Sequence, residues 1–116
     1  MKAIKNYIFS ICVLLTPSLA LADVIEIATF TLKEGVSYQQ FEPIDKALEL
    51  EHVSKQAGFI SRESAKGSDG EWLVVVHWRS LKDADASMNS FMNAKAAAEF
   101  MSHIDSSSMS MKRYSK

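Results

Sequence analysis

His77 is the residue best suited to proton chemistry, because it stands beside Trp78 in the otherwise apolar segment 72–78. A neutral imidazole can accept a proton from a weak acid such as a phenol, so it can act as a general base. The alternative is a structural histidine whose hydrogen bonds are satisfied by a neighbour, and the residue types favour this simpler role. If His77 has a catalytic role, it is the candidate catalytic base, and the structural role is the alternative.

Glu26 is a carboxylate in the middle of an apolar segment, Val24–Leu32. A carboxylate in such a place must be paired, protonated or close to water. Arg62 and Arg113 are available as partners, and the favoured structural interpretation is a Glu26–Arg62 ion pair at an interface between two copies of the chain. The functional interpretation pairs Glu26 with His77, so that the carboxylate orients the base.

Aromatic and methionine side chains are numerous enough to form the walls of a flat apolar pocket. Their spacing is equally typical of core packing, which is the more common reason for such patterns. Methionine fills irregular gaps in a core or lines a permissive pocket, and both roles are open for the five methionines that follow residue 22. The candidate binding residues for a small hydrophobic or aromatic ligand are Trp78, Phe91, Phe30, Arg62 and Glu26.

Histidine and cysteine are too few and too scattered to predict a metal centre. The spacing of His52, His77 and His103 matches no metal-ligand pattern, and the one cysteine is Cys12. We therefore expect no metal and no cofactor. The formal net charge of −1 argues against a nucleic-acid partner, which normally requires a concentrated basic surface.

The first residues have the order of a secretory signal peptide. Two lysines precede the apolar run 7–15, and small residues lead to a predicted cleavage site after Ala22. A membrane anchor is the alternative, but the run is far shorter than the ~20 residues of a spanning helix. We predict a signal peptide, 1–22, and a domain, 23–116, that is periplasmic or secreted and has no membrane contact after cleavage.

The elements that position the candidate residues follow from hydropathy, caps and turns. Ser37 and Ser80 are predicted N-caps, Pro43 is expected in the first turn of the first helix, and Gly58 is expected to end that helix. The order β-α-β-β-α-β predicts an α+β, ferredoxin-like unit with both helices on one face of an antiparallel sheet. The predicted strands are 24–32, 59–64, 72–79 and 109–114, with a loop at 105–108.

Both faces of the predicted sheet are apolar, so both require cover. The helices cover one face, and a second copy of the chain is the most economical cover for the other, which predicts a homodimer. In the central strand, alternation assigns Trp72, Val74, Val76 and Trp78 to one face, and Leu73, Val75, His77 and Arg79 to the other.

Five segments carry a family resemblance: LKEG at 32–35, GFISRE at 58–63, DGEWLVVVHWRS at 69–80, SFMN at 90–93 and FM at 100–101. Together they resemble the antibiotic-biosynthesis-monooxygenase family of dimeric α/β barrels, over essentially all of residues 23–116. The resemblance implies a ferredoxin-like unit that pairs into a barrel. It also implies a cofactor-independent monooxygenase acting on an aromatic or quinone-like molecule, or alternatively a non-catalytic binding or stress-related dimer.

The haem-degrading members of this family use an asparagine, a tryptophan and a haem-ligating histidine. The resemblance aligns these three positions with Ala28, Phe91 and Met101 in this sequence. Because all three depart from the family's pattern, haem degradation is not expected.

Overall fold

The computed structural model describes residues 23–116, so the predicted signal peptide lies outside the described residues. Four antiparallel strands form one sheet in the order β2-β3-β1-β4, which confirms the α+β, ferredoxin-like prediction. No helix within the described range is long and apolar enough to cross a bilayer. The elements are β1 (Val24–Leu32), α1 (Tyr38–Glu51), a 3₁₀ turn (Val53–Lys55), β2 (Phe59–Lys66), β3 (Glu71–Trp78), α2 (Leu81–Phe91), α3 (Lys95–Ser102) and β4 (Ile104–Ser115).

Two serine caps begin the principal helices, as the sequence predicts. The Ser37 hydroxyl accepts a hydrogen bond from the Gln40 backbone N–H at 3.0 Å. The Ser80 hydroxyl accepts from the Asp83 backbone N–H at 3.1 Å and donates to the Asp83 carboxylate at 2.9 Å. Each cap satisfies a backbone donor that the first turn of a helix leaves without a partner.

The first helix differs from its prediction at both marked residues. It ends at Glu51, well before Gly58, and a 3₁₀ turn follows. Pro43 is the sixth residue of α1 and lies beyond the first turn, so one internal hydrogen bond is missing there. Gly58 turns the chain into β2 with a φ of +80°, and a Cβ at this position would overlap the Asp83 side chain.

The segment 105–108 is part of β4 and not the predicted loop. Asp105 pairs with Thr31 across the strands, next to an irregularity in the β1–β4 register. The Ser108 hydroxyl accepts from the Thr31 backbone N–H at 2.8 Å, so a side chain replaces a backbone partner at this bulge. The polar composition of the segment reflects this side-chain role and does not end the strand.

The aromatic core lies between the helices and the sheet. Phe41 of α1 is fully buried, and its ring centroid lies 5.1 Å from that of Trp72 and 5.2 Å from that of Phe100. Phe30 of β1 meets Phe100 edge-on at 5.5 Å. This cluster fixes α1 and α3 over one end of the sheet, leaving the other end to be covered by α2.

The opposite face of the sheet has no described element packed on it. Ile25, Ile27, Leu73 and Val75 are half-buried there, and His77 pairs across the strands with Ile25. The predicted alternation of the central strand is confirmed, because its even-numbered residues from Trp72 to Trp78 are buried under the helices. We call this second, uncovered side the open face.

Candidate functional site

A cavity of about 210 Å³ lies between the sheet and the helices. Its floor includes Ala28, Val74 and Val76, with Ala28 and Val74 paired across β1 and β3. These side chains are short, so the sheet leaves room that the helices above do not fill. The cavity is therefore a consequence of small residues in the middle of two central strands.

Methionine and phenylalanine dominate the walls of this cavity. All five methionines among residues 23–116 line it. One lies on α2, one directly after α2, one on α3 and two on β4. Methionine is flexible and polarizable, which suits a wall that adapts to different apolar ligands. The phenylalanine and methionine side chains of the wall are Phe30, Met88, Phe91, Met92, Phe100, Met101, Met109 and Met111.

The charged residues in and beside the cavity lie in one row across the sheet. Arg62, Val76, Glu26 and Arg113 occupy neighbouring positions on β2, β3, β1 and β4. Adjacent strands lie about 4.8 Å apart, so the backbones of Glu26 and Arg62 are roughly 10 Å apart. The predicted Glu26–Arg62 ion pair at an interface between copies is therefore wrong, because both residues face the helices and each has another partner.

The Glu26 side chain is buried, with its two oxygens in different environments. Arg113 donates from Nε to Oε2 at 2.8 Å, and Trp78 donates from Nε1 to Oε1 at 3.4 Å. The first contact is a strong charge-assisted bond, while the second is long for a hydrogen bond. Oε1 therefore has unused capacity to accept a hydrogen bond from a ligand in the cavity.

Arg113 holds Glu26 in place and also reaches α2. Burial lowers the pKa of Arg113, but hydrogen bonds and charge interactions with Glu26 and Asp85 outweigh it and raise the pKa above its usual value. The guanidinium also donates to the Ala84 carbonyl at 3.4 Å. A permanent positive charge thus stands beside Glu26 and ties two strands to a helix.

Arg62 is a wall residue whose charge is compensated inside the protein. Its Nη2 donates to Asp45 Oδ1 at 2.7 Å, and its Nη1 donates to Asp45 Oδ2 at 3.2 Å. The Ser64 hydroxyl donates to the same carboxylate at 2.6 Å, and Glu49 lies 3.6 Å from Nη1. The Arg62 side chain is 2% exposed, so this fork joins β2 to α1 in a nearly dry environment.

His77 lies on the open face, away from the cavity. Its cross-strand partner is Ile25, whereas the partner of Glu26 is Val76. Neighbouring residues on a strand point to opposite faces, so Glu26 and His77 cannot act as an acid and base pair within one chain. The functional interpretation of Glu26 as the group that orients His77 is therefore wrong.

The structure brings together most of the sequence-predicted site. Glu26, Phe30, Arg62, Trp78 and Phe91 all line the cavity, and His77 does not.

Ser87 is a lining residue that the sequence reasoning missed. The sequence feature that could have identified Ser87 is its spacing. It lies three residues after Ala84 and four before Phe91, which places all three on one face of a helix. The three positions aligned with the haem-degrading pattern, Ala28, Phe91 and Met101, also line the cavity. Among residues 23–116, however, the cavity has no histidine in its wall, so the residues present do not fit a histidine-ligated haem.

Ser90 and His52 form a second polar cluster, which resembles a nucleophile with its base. Ser90 Oγ lies 3.4 Å from His52 Nε2, and Gln56 Nε2 lies 3.4 Å from His52 Nδ1. The Ser90 hydroxyl also has two closer acceptors, the Ser87 carbonyl at 3.0 Å and Gln56 Oε1 at 3.2 Å. The Gln56 amide donates to the His52 carbonyl at 3.1 Å, so the network links the 3₁₀ turn after α1 to α2.

Comparison with solved structures places this architecture among known ones. SnoaB from Streptomyces nogalater, described as a cofactor-independent oxygenase, superposes with a TM-score of 0.68 at 11% identity, over 82% of this chain and 93% of that one. A protein of Caulobacter crescentus CB15 assigned to the antibiotic biosynthesis monooxygenases gives 0.68 at 11% identity, over 83% and 91%. A dimeric ferredoxin-like protein of unknown function from Thermobifida fusca gives 0.65 at 13% identity, over 82% and 92%.

The likeness is one of fold. It confirms the resemblance to antibiotic-biosynthesis-monooxygenase proteins at the level of the fold. It goes no further, because these structures are less than a fifth identical to this chain in sequence. No protein-family model matches the chain, and no curated protein sequence matches it. A shared fold alone assigns no chemistry to this chain.

The Asp45–Arg62 fork makes a stability prediction. Asp45→Asn removes the charge that compensates a buried guanidinium and should lower the free energy of unfolding by about 3 kcal/mol. Lys46→Ala is the matched control, because it removes the neighbouring exposed pair with Glu49 and should cost about 0.5 kcal/mol or less. Urea denaturation measures both, and equal stability of the two variants would contradict the assigned role of the fork.

Proposed function

We propose that the cavity binds a small hydroxylated aromatic molecule of one or two rings. The observation that carries this proposal is a buried carboxylate oxygen, Glu26 Oε1, with spare accepting capacity in an otherwise apolar cavity. An apolar cavity of about 150 Å³ accommodates benzene, while sites for drug-sized ligands measure about 300–1,000 Å³. The volume of about 210 Å³ therefore suits a ligand larger than benzene but smaller than a polycyclic quinone.

We further propose that the protein is a cofactor-independent monooxygenase for this ligand. Glu26 accepts the phenol proton, and the resulting phenolate reduces dioxygen. One oxygen atom replaces the hydrogen on a ring carbon to give a quinone, and the other leaves as water, so four electrons pass from the phenol to O₂. The fold shared with SnoaB, described as a cofactor-independent oxygenase, supports this reaction class.

The roles of the surrounding residues follow from their contacts. Arg113 keeps a fixed positive charge beside Glu26 and orients its carboxylate. Trp78 donates to the oxygen that meets the ligand, and Phe30 and Phe91 offer aromatic surfaces to its ring. We assign the role of base to Glu26 and not to His77, because only Glu26 borders the cavity.

The alternative is a protein that binds the ligand and releases it unchanged. The polar side chains in the described wall are few: apart from the Trp78 indole they are Glu26, Arg62 and Ser87. Arg62 is already bound to Asp45, so little polar capacity is left to stabilise an oxygenated intermediate. This observation favours binding without turnover as the second candidate.

The monooxygenase proposal predicts that Glu26→Gln abolishes most of the oxygen uptake with 1-naphthol as the probe. The amide retains the size of the carboxylate but cannot accept the proton, so the rate should fall by about 100-fold or more. His77→Gln is the control and should retain the rate of the unchanged protein. Oxygen-electrode measurements on variants of equal thermal stability check this.

Three other results would change the assignment. Equal rates for Glu26→Gln and the unchanged protein would exclude Glu26 as the base. Loss of rate in His77→Gln would return that role to the histidine. Thermal stabilisation by 1-naphthol without oxygen uptake would favour the binding alternative.

We also propose that two copies pair through their open faces into a dimeric barrel. The support is an apolar surface built by Ile25, Ile27, Leu73 and Val75, with no helix of the same described chain to cover it. The neighbour from Thermobifida fusca is itself described as dimeric. Burying these side chains in a face-to-face sheet contact would remove them from water.

The export of the protein is part of the same proposal. The basic, apolar and small-residue order of 1–22 supports a cleaved signal peptide. The domain 23–116 would then act in the periplasm or outside the cell, on a ligand it meets there.

The dimer proposal predicts that Val75→Asp produces monomers at micromolar concentration in light scattering. A carboxylate in the centre of the open face would have to be desolvated in the dimer. Leu50→Asp is the matched control, since Leu50 is an exposed apolar residue on α1, and this variant should remain dimeric. A monomeric unchanged protein, or a dimeric Val75→Asp variant, would contradict the proposal.

A further inference from the structure

Two opposite charges stand at the ends of one row across the open face. The row consists of Glu63, Val75, Ile27 and Lys112, at neighbouring positions on β2, β3, β1 and β4. Cross-strand partners share one face of a sheet, so both charged residues lie on the same face as Val75 and Ile27. Their sequence neighbours Arg62 and Arg113 point to the other face, where they bind carboxylates of α1 and α2.

The two charges of this row are exposed and lie at opposite edges of the sheet. β2 and β4 are the edge strands, so three strand spacings place Glu63 about 14 Å from Lys112. Within residues 23–116, neither side chain forms an ion pair. Charged ends around an apolar centre are typical of a protein interface, in which a polar rim surrounds an apolar core.

Two identical chains can lay one open face on the other in two symmetric ways. The two-fold axis must lie in the plane between the sheets, because an axis perpendicular to the sheets would leave both faces pointing the same way. If the axis crosses the strands, β2 meets β2 and β4 meets β4, so like charges approach each other. If the axis runs along the strands, β2 meets β4, and Glu63 faces the partner's Lys112.

We propose that two copies pair about an axis along the strands, so that Glu63 of each chain forms an ion pair with the partner's Lys112. This inference rests on the proposed pairing of the open faces and adds the residues that fix its orientation. Packed sheets lie about 10 Å apart, a gap that a glutamate and the long stem of a lysine bridge from opposite sides. Like charges brought together in the other orientation would oppose association.

Charge reversal tests this pairing, because two-fold symmetry repeats every contact. Glu63→Lys and Lys112→Glu each place like charges at both contacts, and each should raise the dimer Kd by about tenfold at low salt. The double variant Glu63→Lys/Lys112→Glu restores opposite charges and should recover the Kd of the unchanged protein. Sedimentation equilibrium measures these constants.

Lys82→Glu is the matched control for charge reversal. Lys82 is exposed on α2, which covers the other side of the sheet, so this variant makes the same change of charge away from the open face. It should keep the Kd of the unchanged protein.

Single cysteines test the orientation directly, because residues 23–116 contain no cysteine. Glu63→Cys and Lys112→Cys chains, co-expressed as residues 23–116 and treated with a short bismaleimide, should give covalent dimers on a denaturing gel. Each variant alone should run as a monomer on this gel, because the proposed axis places identical positions at opposite edges of the pair.

The results separate this inference from the dimer proposal on which it rests. A monomeric unchanged protein would overturn both. A dimer would leave only the orientation overturned if the single reversals keep its Kd, if the double reversal fails to restore it, or if one cysteine variant crosslinks with itself.

Discussion

The rest of the site depends on the interactions that the Arg113 side chain makes. It extends from β4, binds the Glu26 carboxylate on β1, and reaches Asp85 and the Ala84 carbonyl on α2. A buried carboxylate without a cation beside it would be costly, so this contact allows Glu26 to stand in an apolar cavity. The same side chain joins β4 to α2 through Asp85 and the Ala84 carbonyl.

The cavity combines a rigid charged end with adaptable walls. Glu26, Arg113 and the Asp45–Arg62 fork have their partners within the protein, so they do not need to reorganise when a ligand enters. The methionines, in contrast, offer surfaces that can adjust to the outline of the ligand. This division suits a ligand whose hydroxyl group is held at a fixed position while its apolar body can vary in shape.

Sequence patterning predicted what depends on neighbouring residues. The serine caps at Ser37 and Ser80 and the alternation of the central strand are local features, and the structure confirms them. The face of Glu26 relative to His77 and the partner of Glu26 depend on the register between distant strands. The pairing with Arg62 and the role of orienting His77 were wrong, whereas Arg113, the other partner that the sequence offered, is confirmed.

Methionine methyl NMR of residues 23–116 during titration with 1-naphthol tests the central claim, which is that the ligand occupies this cavity. All five methionines of residues 23–116 line the cavity, so their methyl signals report on its occupancy from every wall. The account predicts saturable shifts of all five signals that weaken in Glu26→Gln. Binding detected by calorimetry with the five signals unmoved would place the ligand elsewhere and contradict the account.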